Sequence, residues 1–135
     1  MNVLLDTNIW IWWLLGSERL LQADRDDLDQ LASKGRCHLA AMSLWEAQML
    51  HSKGRLTLDR PFATWLREAS APGLVVLHPL DVEVVVTLDQ LPVNFHGDPA
   101  DRLIVATALA HRLHLATQDR AVRSSGIVPI WERPG

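Results

Sequence analysis

The chain is poor in cysteine, in lysine and in long apolar runs, and each shortage excludes something. Of its 135 residues only Cys37 is a cysteine, so no internal disulfide can form. That composition suits a reducing compartment, and the fold must rest on a hydrophobic core. No apolar stretch is long enough to span a bilayer. The start, MNVLLDTN, lacks the basic opening of a secretory signal, and an acid interrupts it early. The expected location is therefore the cytoplasm, with no membrane association. An excess of positive charge is missing too. The net charge is −3, which counts against a nucleic-acid binder without excluding one, because acids gathered around a metal would be offset locally. The only lysines are Lys34 and Lys53. No repeat, low-complexity tract or domain boundary interrupts the chain. With 48% apolar and 21% charged residues, it reads as one globular domain over residues 1–135.

What is present is an alternation of short apolar runs and helical segments. Val3-Leu4-Leu5 predicts a buried strand. Asp6, Thr7 and Asn8 favour a helix start, and a dense apolar helix follows from Ile9 to Leu15, stopped by Gly16. Asp24 to Ser33 predicts an amphipathic helix. Cys37 to Leu39 is a weaker strand, Ser43 to His51 a helix, and Pro61 opens another helix to about Ala69. Leu74 to Leu77 predicts a strand. Asp81 starts a helix to about Gln90, although its valines also allow a strand. Leu91 to Gly97 reads as a loop, and Pro99 to Leu113 as a helix apolar on most sides and hence buried. Leu115 to Thr117 predicts a strand, Asp119 a short helix, and Ile127 to Ile130 a last strand. This order implies an α/β domain of three layers, with a mostly parallel central sheet flanked by helices.

Four acids stand out in that order: Asp6 in VLLDTN, Glu46 in AMSLWEAQ, Asp101 in GDPADRLIVATALA and Asp119 in LHLATQDRAV. Carboxylates at strand-to-helix transitions can converge at one edge of a parallel sheet, where open α/β sheets bind ligands. Gathered carboxylates repel one another unless a cation lies among them, and hard oxygen donors favour Mg²⁺ or Mn²⁺. Each acid also has an ordinary helix-start explanation. Glu46 lies three residues after Ser43, the spacing of a capping box. Asp98-Pro99-Ala100-Asp101 puts an acid at the cap and another in the first turn. Asp6 and Asp119 can cap helices as well. Both readings stay open on the residues alone.

The same pattern resembles the PIN-domain family, in particular the VapC-type ribonuclease toxins of toxin–antitoxin pairs. The likeness covers nearly the whole chain. It is carried by LLDTNIWIWWL, SLWEAQMLHSKGRL, HGDPADRLIVATALAHRLHLATQDRAV and the closing VPIW. Matched motif by motif, it implies an acidic quartet of Asp6, Glu46, Asp101 and Asp119, with Asp98 adding a metal ligand or orienting one. Thr117 matches a hydroxyl beside the quartet. Asn8 stands where relatives often carry His. The resemblance implies hydrolysis of RNA by metal-activated water with Mg²⁺ or Mn²⁺, a homodimer, and a cognate antitoxin protein that covers the acidic site. A silent PIN-like binding module is the alternative, and the complete quartet speaks against it. A receiver-type phospho-acceptor Asp would need a Lys near a later strand end, which the chain lacks.

The remaining chemistry-bearing residues have competing uses. Lys53, Arg55, Arg102 and Arg120 follow the acidic motifs and are candidates for RNA phosphates; the competing use for Arg102 and Arg120 is structural pairing. His38, His51, His78, His96, His111 and His114 are expected to be surface or packing residues. Trp10, Trp12 and Trp13 cannot share one helical face. They are expected to fill the core or a dimer interface built from the helices after the first strand and near Glu46, although tryptophan can also stack on unpaired bases.

Overall fold

Val3–Leu5 forms β1, and all three of its side chains are buried. A strand buried on both faces is what an uninterrupted Val/Leu run produces. In the computed structural model, which describes residues 1–95 and 97–132, β1 lies between β2 (Cys37–Ala40) and β4 (His114–Ala116), and β3 (Val76–His78) pairs on the outer side of β2. The order is β3-β2-β1-β4, and every pairing is parallel.

Seven helices among the described residues cover the sheet: α1 (Thr7–Leu15), α2 (Gln22–Ser33), α3 (Ala41–Ser52), α4 (Phe62–Ala69), α5 (Val82–Gln90), α6 (Pro99–Ala110) and α7 (Arg120–Ser124). Alternation along β1 divides the core in two. Val3 and Leu5 face a cluster with Trp10, Trp13, Leu28 and Trp65, from α1, α2 and α4. Leu4 faces Val84 of α5 and Ile104, Val105 and Ala108 of α6. These are the three layers the alternating pattern implies. No described helix is long and apolar enough to cross a membrane.

Most of the tryptophan is consumed inside. Trp10 donates through Nε1 to the Ala69 carbonyl at 3.0 Å and packs 5.4 Å from Trp65. Trp13 donates to Asp29 at 2.8 Å. Trp12 is half-buried with the Arg19 guanidinium over its ring. Trp131 is buried as well.

Among the expected boundaries that move, three do so for a clear backbone reason. The strand expected at Leu74 to Leu77 begins at Val76, because the N–H groups of Leu74 and Val75 are both taken by the Ala71 carbonyl in a turn. The strand expected at Ile127 to Ile130 is a single parallel bridge from Ile130 to Leu115. Leu115 donates to Pro129 and Trp131 donates to Leu115, and Pro129, having no N–H, cannot extend the ladder. The helix expected to reach Leu113 ends at Ala110. There Arg112 takes a φ of 56° and Leu113 donates back to the Ala108 carbonyl at 2.8 Å, a left-handed helix ending.

The histidines pack as expected, with His96 outside the described residues. His51 stacks on Phe62. His38 and His78 both face the α5–α6 layer, since His38 is paired with Val76 and Ala40 with His78. His38 Nδ1 lies 2.8 Å from His78 Nε2, and His78 packs against His111, whose Nε2 is 3.6 Å from Asp81. Burial, with His111 and His38 as like-charged neighbours, pushes His78 down to about 4, Asp81 opposing. Burial lowers His38 as well. A histidine whose folded pKa lies below its unfolded value stabilises the fold fully above about 6.5, and that stability is lost as pH falls toward 4. Replacing His78 by Phe keeps a ring in the stack and removes the titration. In urea unfolding at pH 7.5 and 5, the wild type should lose on the order of 1 kcal/mol more than His78→Phe, after allowance for solvent around the half-buried ring. Equal losses in the two proteins would refute this account of the histidine stack.

Candidate functional site

Strands that run parallel all finish at one edge, and the acids gather there. Asp6 follows β1 directly and caps α1, accepting from the Ile9 N–H at 2.8 Å. Asp119 follows β4 by two residues and caps α7 through the Val122 N–H at 3.0 Å. Glu46 lies in the second turn of α3, which starts where β2 ends. Asp98 caps α6 through the Ala100 N–H, and Asp101 occupies the first turn of that helix.

The register makes neighbours of residues far apart in sequence. Leu5 is level with Leu39 on one side and Ala116 on the other, so Asp6 and Thr117 leave the sheet side by side. The Asp6 N–H donates to the Ala116 carbonyl at 3.0 Å. The buried Thr117 hydroxyl bonds the Asp6 carboxylate and accepts from the Asp119 N–H at 3.1 Å. One hydroxyl thereby touches the side chain of Asp6 and the backbone of Asp119.

A second hydroxyl network orients Glu46. Thr7 Oγ1 donates to Glu46 Oε1 and lies 2.9 Å from the buried Ser43 Oγ. Thr7 has a single proton, so Ser43 is the donor in that pair. This corrects the capping-box reading. Helix α3 begins at Ala41, its cap is Ala40 with no side-chain bond, and Ser43 points inward toward Thr7. Thr7 and Ser43 were not singled out by sequence. Thr7 carried only a helix-start signal, and Ser43 was read as a cap three residues beyond the true one, Ala40.

Burial pushes Asp6 up to about 6, with the charges of Asp101 and Glu46 adding to it and the Thr117 and Ile9 bonds opposing. Glu46 is also raised, first by burial, then by Asp101 and Asp98, against the Thr7 bond. Asp101 therefore acts on both Asp6 and Glu46, Glu46 on Asp6 and Asp98 on Glu46, while Asp119 is tied to Thr117 through its backbone N–H. The donors are hard oxygens carrying excess negative charge, a set that suits a divalent cation. Among the described residues, no three acid, His or Cys side chains already close on a common point, so these carboxylates would need to draw together around an ion.

A hollow of about 410 Å³ opens beside them, lined by Asn8, Glu46, Asp98, Lys53 and Arg55 among others. Lys53 and Arg55 are exposed there, and Arg120 is exposed beside Asp119. Arg102 is placed otherwise. Its guanidinium donates to the Pro92 and Phe95 carbonyls, and it lines a separate hollow with Val85, Leu88 and Val93. A larger hollow, about 760 Å³ between α1, α4 and the Thr57–Arg60 segment, has none of the acidic cluster in its wall. Its size alone gives it no chemistry.

Among known proteins, the PIN domain family model matches residues 3–125. Ribonuclease VapC22 of Mycobacterium tuberculosis (strain ATCC 25618 / H37Rv) is 37% identical over 126 residues, 91% of each chain. The fold is similar to that in the crystal structure of VapBC2 from Rickettsia felis bound to a DNA fragment from their promoter. There the TM-score is 0.72 at 15% identity, over 97% of this chain and 98% of that one. It is also similar to FitAcB from Neisseria gonorrhoeae, with TM-score 0.66 at 23% identity over 96% of each chain. FitAB bound to an IR36 DNA fragment gives 0.68 at 25%, over 96% of this chain and 93% of that one.

Asp6 supplies a test of the electrostatics that does not depend on activity. Its folded pKa of about 6 lies above its ordinary value of 3.8. The folded state then holds the proton more tightly, and stability is lost as pH rises from about 4 to about 6. Asn keeps the cap and removes the charge. In chelator at pH 7.5, Asp6→Asn should unfold later than the wild type, by roughly 1–2 kcal/mol, and the advantage should vanish at pH 4. A variant no more stable than the wild type at pH 7.5 would mean that Asp6 is only a cap.

Proposed function

Because the chain belongs to the PIN-domain family, we propose that it is a divalent-metal-dependent endoribonuclease, the toxin of a toxin–antitoxin pair acting in the cytoplasm. The observation that carries the reading is the gathering of Asp6, Glu46, Asp98 and Asp101 at the C-terminal edge of the sheet, with Asp6 capping α1, Glu46 held by Thr7, and Asp98 lining the hollow beside Glu46. The similarity to a VapC ribonuclease over 91% of the chain supports it.

Asp6, Asp101 and Asp119 would hold Mg²⁺ or Mn²⁺, with Asp98 beside them. The bound cation supplies charge for a phosphate oxygen and a water acidic enough to be deprotonated near neutral pH. The chain's own groups do the rest. Glu46, raised in pKa and fixed by Thr7, is the carboxylate suited to take a proton from the attacking water. Thr117 fixes Asp6 against β4, and Thr7 fixes Glu46 against α3. Lys53 and Arg55 would meet the phosphates flanking the cut, with Arg120 on the side of Asp119. Arg102 is engaged in holding the Pro92–Phe95 segment, so its proposed contribution to RNA is indirect.

An antitoxin protein is part of the same reading, supported by the VapBC2 and FitAB neighbours. A segment laid over the cleft would silence it by pairing a cation with the carboxylates. So is a homodimer. Among the exposed apolar residues, Leu80, Val82, Val85 and Val86 near β3 and α5, together with Trp45 on α3, are the ones a second copy would cover.

Purified protein should cut cellular RNA with Mg²⁺ or Mn²⁺ and stop in chelator. Asp6→Asn and Asp101→Asn should each lower cleavage beyond the roughly 10–100-fold typical of groups that merely support a metal ligand. Cleavage unchanged in both variants would sink the site, and the silent binding module would then stand. In the Asp6→Asn background, Arg55→Ala should weaken RNA binding and reduce the salt slope by about one. Arg102→Ala should instead lower the melting temperature and leave the slope alone. The reverse pattern would put the RNA path over the Arg102 face.

A further inference from the structure

The first turn of α1 opens on two hollows. Thr7 and Asn8 line the one that holds Glu46, Asp98, Lys53 and Arg55. Ile9 lines another, of about 280 Å³, with Thr117 and Gln118 just past the end of β4. Asp6 is tied to the wall of this second hollow, since it accepts from the Ile9 N–H and from the Thr117 hydroxyl. The acidic cluster therefore borders two cavities. Among the described residues, none that lines the second belongs to α3 or α5, so a second copy seated on that face leaves it open.

The floor of the second hollow is apolar and buried, with Ile9, Leu20 and Trp131; its rim is polar and exposed, with Gln118 and Arg123. Both rim side chains are held in place. Arg123 donates to the Thr117 carbonyl at 2.9 Å and to Glu132 at 2.7 Å. Gln118 donates through Nε2 to the Arg19 carbonyl at 3.2 Å. A carbonyl can only accept, so the amide nitrogen faces it and Oε1 is turned away. Among the described residues Gln118 Oε1 has no partner. The same bond brings the exposed Arg19 beside the hollow, and the exposed Arg120 lies two residues beyond Gln118.

Ordinary ligand pockets run to about 300–1,000 Å³, so this one takes a single ring system and excludes a helix. An apolar floor, a fixed acceptor at the mouth and cations beside it suit a nucleotide. The base enters the hollow and offers an N–H to Gln118, while its phosphates meet Arg19 and Arg120. Only an unpaired base can do so, because pairing occupies those N–H groups.

We propose that this hollow is the subsite for the base of one nucleotide flanking the cut, that Gln118 is the residue determining its specificity, and that Arg19 takes a phosphate of the same strand. The proposal rests on the ribonuclease reading and adds to it a strand path, crossing the acidic cluster from Lys53 and Arg55 to Arg19.

The test uses the cleavage-impaired Asp6→Asn protein and a short fluorescein-labelled single-stranded RNA centred on a cleavage site mapped with the wild type, which fixes the register. The intact RNA is compared, across a salt series, with a set carrying one abasic nucleotide at each position in turn. Gln118→Leu and Gln118→Ala should each weaken binding of the intact RNA by roughly twofold to tenfold, the worth of one neutral hydrogen bond, with the salt slope unchanged. At one abasic position, and only there, that loss should disappear, because the base that Gln118 meets is already gone. Arg19→Ala should instead reduce the salt slope by about one whichever RNA is used. Intact RNA bound equally with and without the Gln118 side chain overturns the proposal and leaves the ribonuclease reading standing. So does a Gln118 loss that is the same at every abasic position. So does a Gln118→Leu protein that merely copies Arg19→Ala, which would make Gln118 only the tether of the Arg19 turn. A wild type that cuts no RNA overturns the ribonuclease reading and this proposal together.

Discussion

In a parallel sheet every strand ends at the same edge, and here the register aligns the ends as well. Leu5, Leu39 and Ala116 lie level across β2, β1 and β4. Whatever follows them must leave at the same height, next to its neighbour. The Thr117 hydroxyl can reach Asp6 only because of that alignment. A slip of one residue would turn every side chain of β1 to the other face. The split core prevents such a slip, since Leu4 belongs to one cluster and Val3 and Leu5 to the other. The hydrophobic pattern of three residues thus fixes the position of a carboxylate that takes no part in the core.

Helix capping and cation binding look like rival uses of an aspartate, but the geometry lets one residue serve both. The Asp6 cap uses Oδ1 alone, and the caps made by Asp119 and Asp98 likewise use Oδ1. A carboxylate has about four acceptor positions, so a capping bond fixes the rotamer and leaves capacity for other donors. Capping then becomes the means of aiming the group. Glu46 is the exception, as it caps nothing and is aimed by Thr7 instead. The helix-start signals in DTN and DPAD were therefore real and were no argument against a site.

The sequence was most legible where a signal is local. The alternation of buried runs and caps yields the layers, the parallel sheet and the strand-end positions of Asp6 and Asp119. Legibility failed where a role depends on distant partners. Arg102 follows Asp101 and looks like its companion in the cleft, yet the Pro92 and Phe95 carbonyls claim it. Nothing in a local window reveals that the preceding loop folds back. The same holds for His38, His78 and His111, which meet only because β2, β3 and the end of α6 do. For Trp45 the limit was a boundary. Read as starting at Ser43, α3 seemed to have a polar cap followed by apolar residues. Started at Ala41, it turns Ser43 and Ala47 inward and leaves Trp45 outside.

Asp6 carries an electrostatic cost, and the cost is local. Burial raises it, two acids reinforce it, and hydroxyl and amide bonds offset only part. A core would normally avoid such a group, because an apolar residue there would be more stable. Retaining it is sensible only if something in the working state restores the balance. Within the proposed function a divalent cation does so in one step, by lowering the charge of several carboxylates at once. A covering protein segment with a basic side chain does the same without chemistry. Activation and silencing would then draw on one strained cluster, and the hydroxyls of Thr7 and Thr117 would hold it in place for either.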